Sequence, residues 1–370
     1  MNLLTDNLKK YNWIDFGRGI AVLLVIMIHT GQNFSTSESV YNITQTGSMG
    51  VQLFFILSSF TLFNSYNQRY EIDGKYRIKY FFIRRFFRIA PLYYFFAIFY
   101  TVIQIVLKGI HSVEYMDVLI SILFLNGLVV PVINYIPPGG WSVGTEVLFY
   151  CIIPFLFKKI TSTKHAIILL LAAILFSNLI NYLAEFIISS LKIPNPYNLR
   201  GYHLYSWLPN QFPVFCFGIL LFFILNSLSF SNNLKKIFLT FSILLYILLS
   251  QIHLSFKYLY FLLQTSYLYS VIFCFFIIGI KYYKFNNRVG SVFRMIGKYS
   301  FCMYLLHFFI LRLYLILITY IGVEKNNLMF LISYVIISMI TFFISSKFYI
   351  YEKKGIMFGN MQIQKIRNLI

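Results

Sequence analysis

The sequence predicts an all-α polytopic membrane protein, a bundle of about ten transmembrane helices in one chain of 370 residues. Hydrophobic residues make up 59% of the chain and charged residues only 11%, whereas soluble domains lie near about 45–50% and about 25%. Aromatic residues reach 20%, and tyrosine is favoured at the level of the lipid headgroups. Apolar runs long enough to cross the hydrocarbon core recur along the whole chain.

Ten of these runs have the length that a spanning helix requires. They cover residues 14–31, 48–66, 89–107, 142–157, 165–190, 208–227, 236–252, 259–280, 299–321 and 328–349. The first run carries Arg18 near its start and lacks a small-residue cleavage site, so we expect a retained helix rather than a signal peptide. No polar stretch is long enough for a second domain, so residues 1–370 are expected to form one membrane-embedded domain without an appended extracytoplasmic domain.

An eleventh apolar run, residues 116–134, is interrupted by Asn126, Gly127 and Pro131. If it does not cross the membrane, 25 lysines and arginines fall on the side of the N-terminus and 5 on the other. If it does cross, the counts become 14 and 16. The positive-inside rule therefore favours ten spans with both termini cytoplasmic. Residues 116–134 are then a re-entrant or outer-face segment, whose non-helical backbone must be buried in protein or line a cavity.

The net charge of +20 does not indicate nucleic acid here, because the basic residues lie between apolar runs. They are interpreted as topology signals and contacts to anionic lipid. The four cysteines all lie inside apolar runs and not at metal-ligand spacing, so no metal site is predicted.

The first span holds two ionisable residues, and such residues inside a bilayer are candidates for function. Arg18 and His29 are separated by roughly 16 Å along a helix and share one face. Arg18 is expected at the cytoplasmic end, paired with Asp15, and His29 in the middle to outer half of the membrane.

The fourth span begins with Trp141 and Ser142 and carries Glu146 in what we expect to be the outer half. Since His29 is expected at a similar depth, a pair between His29 and Glu146 is predicted. Such a pair holds one imidazole tautomer and raises its basicity, as general-base catalysis requires. His307, in the ninth span, is also expected near mid-depth.

A basic cluster, Arg84, Arg85 and Arg88, leads directly into the third span. Arg85 and Arg88 lie on one helical face, and two guanidinium groups at a helix end can bind a phosphoester. Topology and lipid headgroups also account for the cluster. These residues together fit either a transmembrane transferase, with a cytoplasmic donor and an outward acceptor, or a proton-coupled transporter.

Five motifs occur in a fixed order along the chain. They are residues 14–21 followed by His29, residues 47–60, residues 84–91, residues 141–150 and residues 296–307, and Tyr351-Glu352-Lys353 follows as an ending. The second motif has Ser59 where Gly is usual in the pattern that it matches, and the fifth has Phe301 where Tyr is usual. In this order they resemble the acyltransferase type 3 family of bacterial membrane acyltransferases.

The resemblance implies that an acyl group, by family default acetyl, is transferred from acetyl-CoA or a related thioester to a hydroxyl of a cell-surface or lipid-linked polysaccharide. It implies His29 as the catalytic residue and the bacterial cytoplasmic (inner) membrane as the location. Acetyl-CoA would be a substrate, and no cofactor is expected to be bound permanently.

The resemblance implies a role for each candidate residue. Glu146 is expected to orient His29, which removes the proton of the acceptor hydroxyl. The coenzyme A phosphates are expected at Arg85 and Arg88, with Arg84 and Arg18. Supporting or acceptor-binding roles are left to Trp141, Ser142, Tyr304, His307 and Asp15. The alternative function is a membrane exporter or flippase of a glycan or lipid-linked sugar that uses the same charged residues for coupling.

Overall fold

The computed structural model describes residues 11–129, 136–191, 204–252, 264–281 and 288–369, and this part of the chain is helical with no strand. Three short 3₁₀ turns precede or follow the helices, at Thr46–Met49, Gly74–Tyr76 and Ile110–Ser112. The helices are α1 (Asn12–Gly31), α2 (Glu38–Gln45), α3 (Gly50–Arg69), α4 (Arg77–Lys108), α5 (Tyr115–Ile122), α6 (Gly140–Lys159), α7 (Thr163–Ser190), α8 (Leu204–Ser206), α9 (Leu208–Ser227), α10 (Asn232–Gln251), α11 (Thr265–Lys281), α12 (Arg288–Ile321) and α13 (Asn327–Asn368).

The predicted membrane helix bundle is confirmed. Within the described ranges, nine helices are long and apolar enough to cross a bilayer, and α11 is a shorter apolar helix of 17 residues. Each of the ten predicted runs corresponds to one of these ten helices, and residues 259–263 of the eighth run lie outside the described residues. Local sequence sets several ends: the side chains of Ser162, Ser231 and Asn326 cap the starts of α7, α10 and α13. Gly109 and Gly322 follow α4 and α12 with positive φ, which glycine adopts without strain.

Ring contacts give the relative direction of the helices. Phe55 of α3 packs against Trp141 of α6, and Phe63 lies further along α3 against Phe157, so α3 and α6 run in parallel. Among the described residues between α3 and α6, only α4 crosses the bundle. The prediction that residues 116–134 do not cross the membrane is therefore confirmed for their described part.

One end of the bundle is strongly basic, and we call it the basic face. It is the end at which α4 and α12 begin and α3 and α13 end, and the opposite end is the outer face. On α4 and α13, Phe87 packs against Phe358 and Phe95 against Phe348, so these helices are antiparallel. Since α1 packs in parallel with α12, the start of α1 and the end of α13 both lie at the basic face. Basic side chains there include Arg69, Arg77, Arg84, Arg288 and Arg367.

The described part of the chain after α4, residues 109–129, is re-entrant. After α4 ends at the outer face, α5 leads back into the bundle until Phe124 packs against Tyr93, with 4.7 Å between ring centroids. Tyr93 lies 15 residues before the end of α4, or about 22 Å along the helix axis. Asn126 is buried there and donates to the Tyr93 hydroxyl. The predicted breakers Asn126 and Gly127 thus lie inside protein, as non-helical backbone at membrane depth requires; Pro131 falls outside the described residues.

Close helix contacts depend on small residues. Gly297 of α12 lies so near the backbone of Asp15 that a side-chain carbon would overlap it. In the same way Gly218 of α9 lies against Ser59 and the Ile56 carbonyl of α3. Ser59 is the position at which glycine is usual in the second motif, so the space for the close approach comes from the partner helix instead.

Candidate active site

A cavity of about 470 Å³ lies among α1, α3, α4, α6, α12 and α13, and we call it the central cavity. Its lining follows α3 from Gln68 at the basic face to Val51, a distance of about 26 Å along the helix axis. The charged lining residues are Asp15, Arg18, Arg85, Arg88, Glu146, Lys298 and Glu352. The uncharged end of the cavity, toward the outer face, is lined by Val51, Phe54, Phe55, Ser142 and Tyr304.

A smaller cavity of about 140 Å³ opens beside it at the basic face, and we call it the basic vestibule. Both cavities are lined by Ser65, Arg85, Arg88 and Ile356, so they adjoin each other. The charged residues around the vestibule are Arg69, Asp73, Arg77, Arg84, Arg85 and Arg88. Five arginines against one carboxylate make this the most anion-attracting part of the described cavities.

The boundary between the two cavities is formed by Arg85 and Arg88, which lie three residues apart on α4. One Nη of Arg85 donates to the Ser65 hydroxyl at 2.5 Å, while its buried Nε has no hydrogen-bond partner among the described residues. Arg88 lies among the carboxylates of Glu352, Glu146 and Asp15. The predicted pairing of these two arginines on one face is therefore present, and Arg85 retains a free donor for an anion.

Arg84 is engaged differently from Arg85 and Arg88. Its guanidinium forms an ion pair with Asp73, whose side chain is fully buried, and Arg367 binds the other oxygen of Asp73 at 2.7 Å. Arg84 lines the vestibule but not the central cavity. Adjacent residues on a helix point in directions about 100° apart, so Arg84 points away from Arg85, and Arg88 lies between the two directions. Arg84 ties the end of α13 to the turn between α3 and α4.

The predicted pair between His29 and Glu146 is wrong. Glu146 accepts hydrogen bonds from the Ser58 hydroxyl and, at 2.6 Å, from the Tyr150 hydroxyl. Its nearest opposite charges are arginines, Arg18 among them. Leu57, adjacent to Ser58, packs against Gly17, so Glu146 lies at the depth of Arg18 instead of His29.

The reason for this error is the depth at which α6 begins. Gly139, directly before α6, lies against Tyr304 and Phe308 in the middle of α12. The helix therefore starts inside the bundle and not at the outer surface. Seven residues later, Glu146 is about 10 Å closer to the basic face.

His29 packs instead against α12. Its ring centroid is 5.4 Å from that of His307 and 4.4 Å from that of Phe308. His307 is 1% exposed, whereas His29 is half-buried near the outer end of α1. The exposed residue Gln32 also reaches the His29 side chain. Neither histidine lines the central cavity.

The end of the central cavity toward the histidines is closed by a small hydrogen-bonded cluster. The Ser142 hydroxyl donates to the Tyr304 hydroxyl at 2.8 Å, and Tyr304 donates to the carbonyl of Gly139 at 2.9 Å. His307 is one turn beyond Tyr304, with 5.7 Å between ring centroids. Trp141 is buried against Phe55 and does not line the cavity.

A family model described as an acyltransferase domain matches residues 11–347. The chain belongs to the acyltransferase type 3 family. The matched region contains both histidines, the arginines of α4 and Glu146, while the last part of α13 lies beyond it. Neither a curated protein nor a solved structure matches the chain. Its resemblance to the family, predicted from five motifs, is thus confirmed, and it is a membrane acyltransferase.

Several polar residues of this acyltransferase were missed at the sequence level. Glu352 is buried beside Arg88, and one of its carboxylate oxygens has no partner among the described residues. Tyr150 and Ser58 bind Glu146, and Ser65 binds Arg85. Tyr150 could have been found, because a hydroxyl four residues after a carboxylate shares its helical face. The other three are brought to the cavity by contacts between distant helices.

Proposed function

We propose that this acyltransferase moves an acyl group, acetyl by family default, from acyl-coenzyme A to a hydroxyl of a cell-surface or lipid-linked polysaccharide. The observation that supports it best is the order of groups along one line through the bundle. Arginines surround the entrance at the basic face, the long central cavity follows, and the two histidines lie just beyond its closed end.

The arginine end suits the phosphates of coenzyme A. Planar guanidinium groups bind phosphate oxygens in pairs, and charge-assisted hydrogen bonds are about twice as strong as neutral ones. The basic vestibule, Arg85 and Arg88 would hold the phosphates. The uncharged pantetheine arm would follow the central cavity and bring the thioester toward Ser142 and Tyr304.

The histidine end suits the transfer step. His29 would take the proton of the acceptor hydroxyl while that oxygen bonds to the thioester carbonyl carbon. The carbon–sulfur bond then breaks, His29 returns the proton to the coenzyme A thiolate and becomes neutral again, and the thiol leaves toward the basic face. The hydroxyls of Ser142 and Tyr304 are the nearest described donors at the closed end of the cavity, so they would stabilise the developing oxyanion.

Access between the cavity and His29 requires the cluster of Ser142, Tyr304 and Gly139 to open. Hydrogen bonds among the Ser142 hydroxyl, the Tyr304 hydroxyl and the Gly139 carbonyl close this end, and each contributes a net of about 1 kcal/mol. A bound thioester that takes over these hydrogen bonds compensates for their loss.

The sidedness follows from charge. We place the basic face in the cytoplasm, where acyl-coenzyme A is made, because the positive-inside rule assigns 25 basic residues to this side against 5. The acceptor then approaches His29 from outside a bacterial inner membrane.

Mass spectrometry of the surface polysaccharide, with and without the gene, tests the proposal. The gene should add about one acyl group per repeat, and His29→Ala should abolish the addition, because general-base catalysis contributes about 10²–10⁴-fold. Membrane insertion and coenzyme A binding of the variant should be unchanged.

Two outcomes would contradict the proposal. Full acylation by His29→Ala removes His29 from the mechanism. Loss of the polymer from the cell surface in the absence of the gene, with the polymer inside the cell acylated as before, identifies an exporter instead.

A further inference from the structure

In the described structure, one ring nitrogen of His307 is hydrogen-bonded and the other has no hydrogen-bond partner. Its Nδ1 lies 2.6 Å from the backbone carbonyl of Tyr304. A carbonyl oxygen only accepts, so Nδ1 carries the proton. The neutral ring then presents a lone pair on Nε2, and this buried atom has no hydrogen-bond partner among the described residues.

An uncommitted lone pair in the middle of a membrane protein is unusual, because a buried acceptor without a partner costs about 1–3 kcal/mol. The surroundings of the ring are aromatic: Phe308 lies 4.1 Å and Tyr304 5.7 Å away, ring centroid to ring centroid. The nearby ring that can supply an N–H is His29, at 5.4 Å. One water molecule or a small rotation of the half-buried His29 side chain closes this separation.

A general base on a membrane helix needs a partner for its second nitrogen. When His29 accepts a proton it becomes an imidazolium with two N–H groups, and only one of them faces the acceptor. In many histidine sites a carboxylate orients the ring and stabilises that cation. Glu146 was expected to do so here, but its carboxylate is held by Ser58 and Tyr150 at the depth of Arg18.

We infer that His307 is the positioning residue of His29, accepting a hydrogen bond from it through Nε2 in the transition state. The inference rests on the proposed role of His29 as general base. The Tyr304 carbonyl holds His307 in the tautomer that can only accept at Nε2. A neutral imidazole therefore replaces the carboxylate, and no net negative charge is placed in the bilayer at this depth.

Three variants of His307 distinguish the contributions of its two ring nitrogens. Asn places its polar end near the position of Nδ1, so His307→Asn can preserve the bond to the Tyr304 carbonyl. Gln places its polar end near the position of Nε2, so His307→Gln supplies an acceptor toward His29. His307→Ala removes both.

Steady-state kinetics with purified protein in lipid nanodiscs, acetyl-coenzyme A and a solubilised polysaccharide acceptor provide the measurement. We expect His307→Ala and His307→Asn to lower kcat by about 100-fold with little change in KM for the donor, as the loss of an orienting partner does. His307→Gln should recover at least about tenfold of that loss. Gln32→Ala is the control, because Gln32 also reaches His29 but is exposed; it should keep at least about half of kcat.

The reverse pattern overturns the inference. If Asn restores kcat and Gln does not, His307 acts only through the Tyr304 carbonyl, in a structural role. If Gln32→Ala loses as much as His307→Ala, the orienting partner is Gln32. Failure of the proposed function gives a different result, since His29→Ala would then remain active whatever the His307 variants do.

Discussion

The two ends of the central cavity differ in their charged side chains. At the basic face, arginines and carboxylates are interleaved, and Arg18, Arg85 and Arg88 lie close to Glu146, Glu352 and Asp15. At the other end, His29 and His307 are surrounded by aromatic rings with no carboxylate in contact in the described structure. This difference fits the proposed division, in which one end binds an anion and the other performs proton transfer without a fixed charge.

The difference between the two ends of the cavity is tested most directly at Arg85 and Arg88. Removing either guanidinium should raise KM for acetyl-coenzyme A by about 10–100-fold, because a hydrogen bond to a charged group contributes about 1.5–3 kcal/mol. The value of kcat at saturating donor should change much less. Steady-state kinetics of Arg85→Met and Arg88→Met measure both constants, with Lys353→Met as a control on the exposed surface of α13. A fall in kcat with unchanged KM would place these arginines in the chemical step.

The ion pairs of Asp73, in the wall of the basic vestibule, allow a test of stability. Asp73→Asn leaves Arg84 and Arg367 without their buried carboxylate, and we expect a loss of about 1–3 kcal/mol in the free energy of unfolding, reduced by the partial exposure of Arg367. Thermal unfolding in detergent measures it, with Glu71→Gln as the exposed control in the same turn. Unchanged stability would mean that the end of α13 is not held by these pairs.

Substitution of Glu146 is expected to change kcat least, and it tests whether this carboxylate acts at the arginine end or at the histidine end of the cavity. Glu146→Gln keeps an oxygen that can accept from Ser58 and Tyr150, so kcat should stay within about threefold, while KM for the donor shifts because a charge among the arginines is lost. The same kinetic assay decides. A collapse of kcat to the level of His29→Ala at unchanged KM would restore Glu146 as the partner of His29.

The fold was predictable to the extent that it depends on local properties of the chain. Apolar length located ten helices, and the charge asymmetry removed residues 116–134 from the crossings. The shared face of Arg85 and Arg88 follows from a spacing of three residues. The depth of Glu146 was not predictable, because it depends on where α6 begins, and that is set by the packing of Gly139 against Tyr304 and Phe308. The burial of Glu352 beside Arg88 likewise requires α13 to pack on α4.

All the charged residues that line the central cavity lie closer to the basic face than Val51, Ser142 and Tyr304 do. A coenzyme held as proposed keeps its phosphates at the membrane surface and sends only a neutral arm into the hydrocarbon layer. The membrane potential does work of about 2.3 kcal/mol per elementary charge per 100 mV on a charge that crosses it, and none on a neutral arm. Donor binding should therefore be the same in energised and de-energised membranes, so that such an enzyme can deliver acyl groups outward without drawing on the electrical gradient.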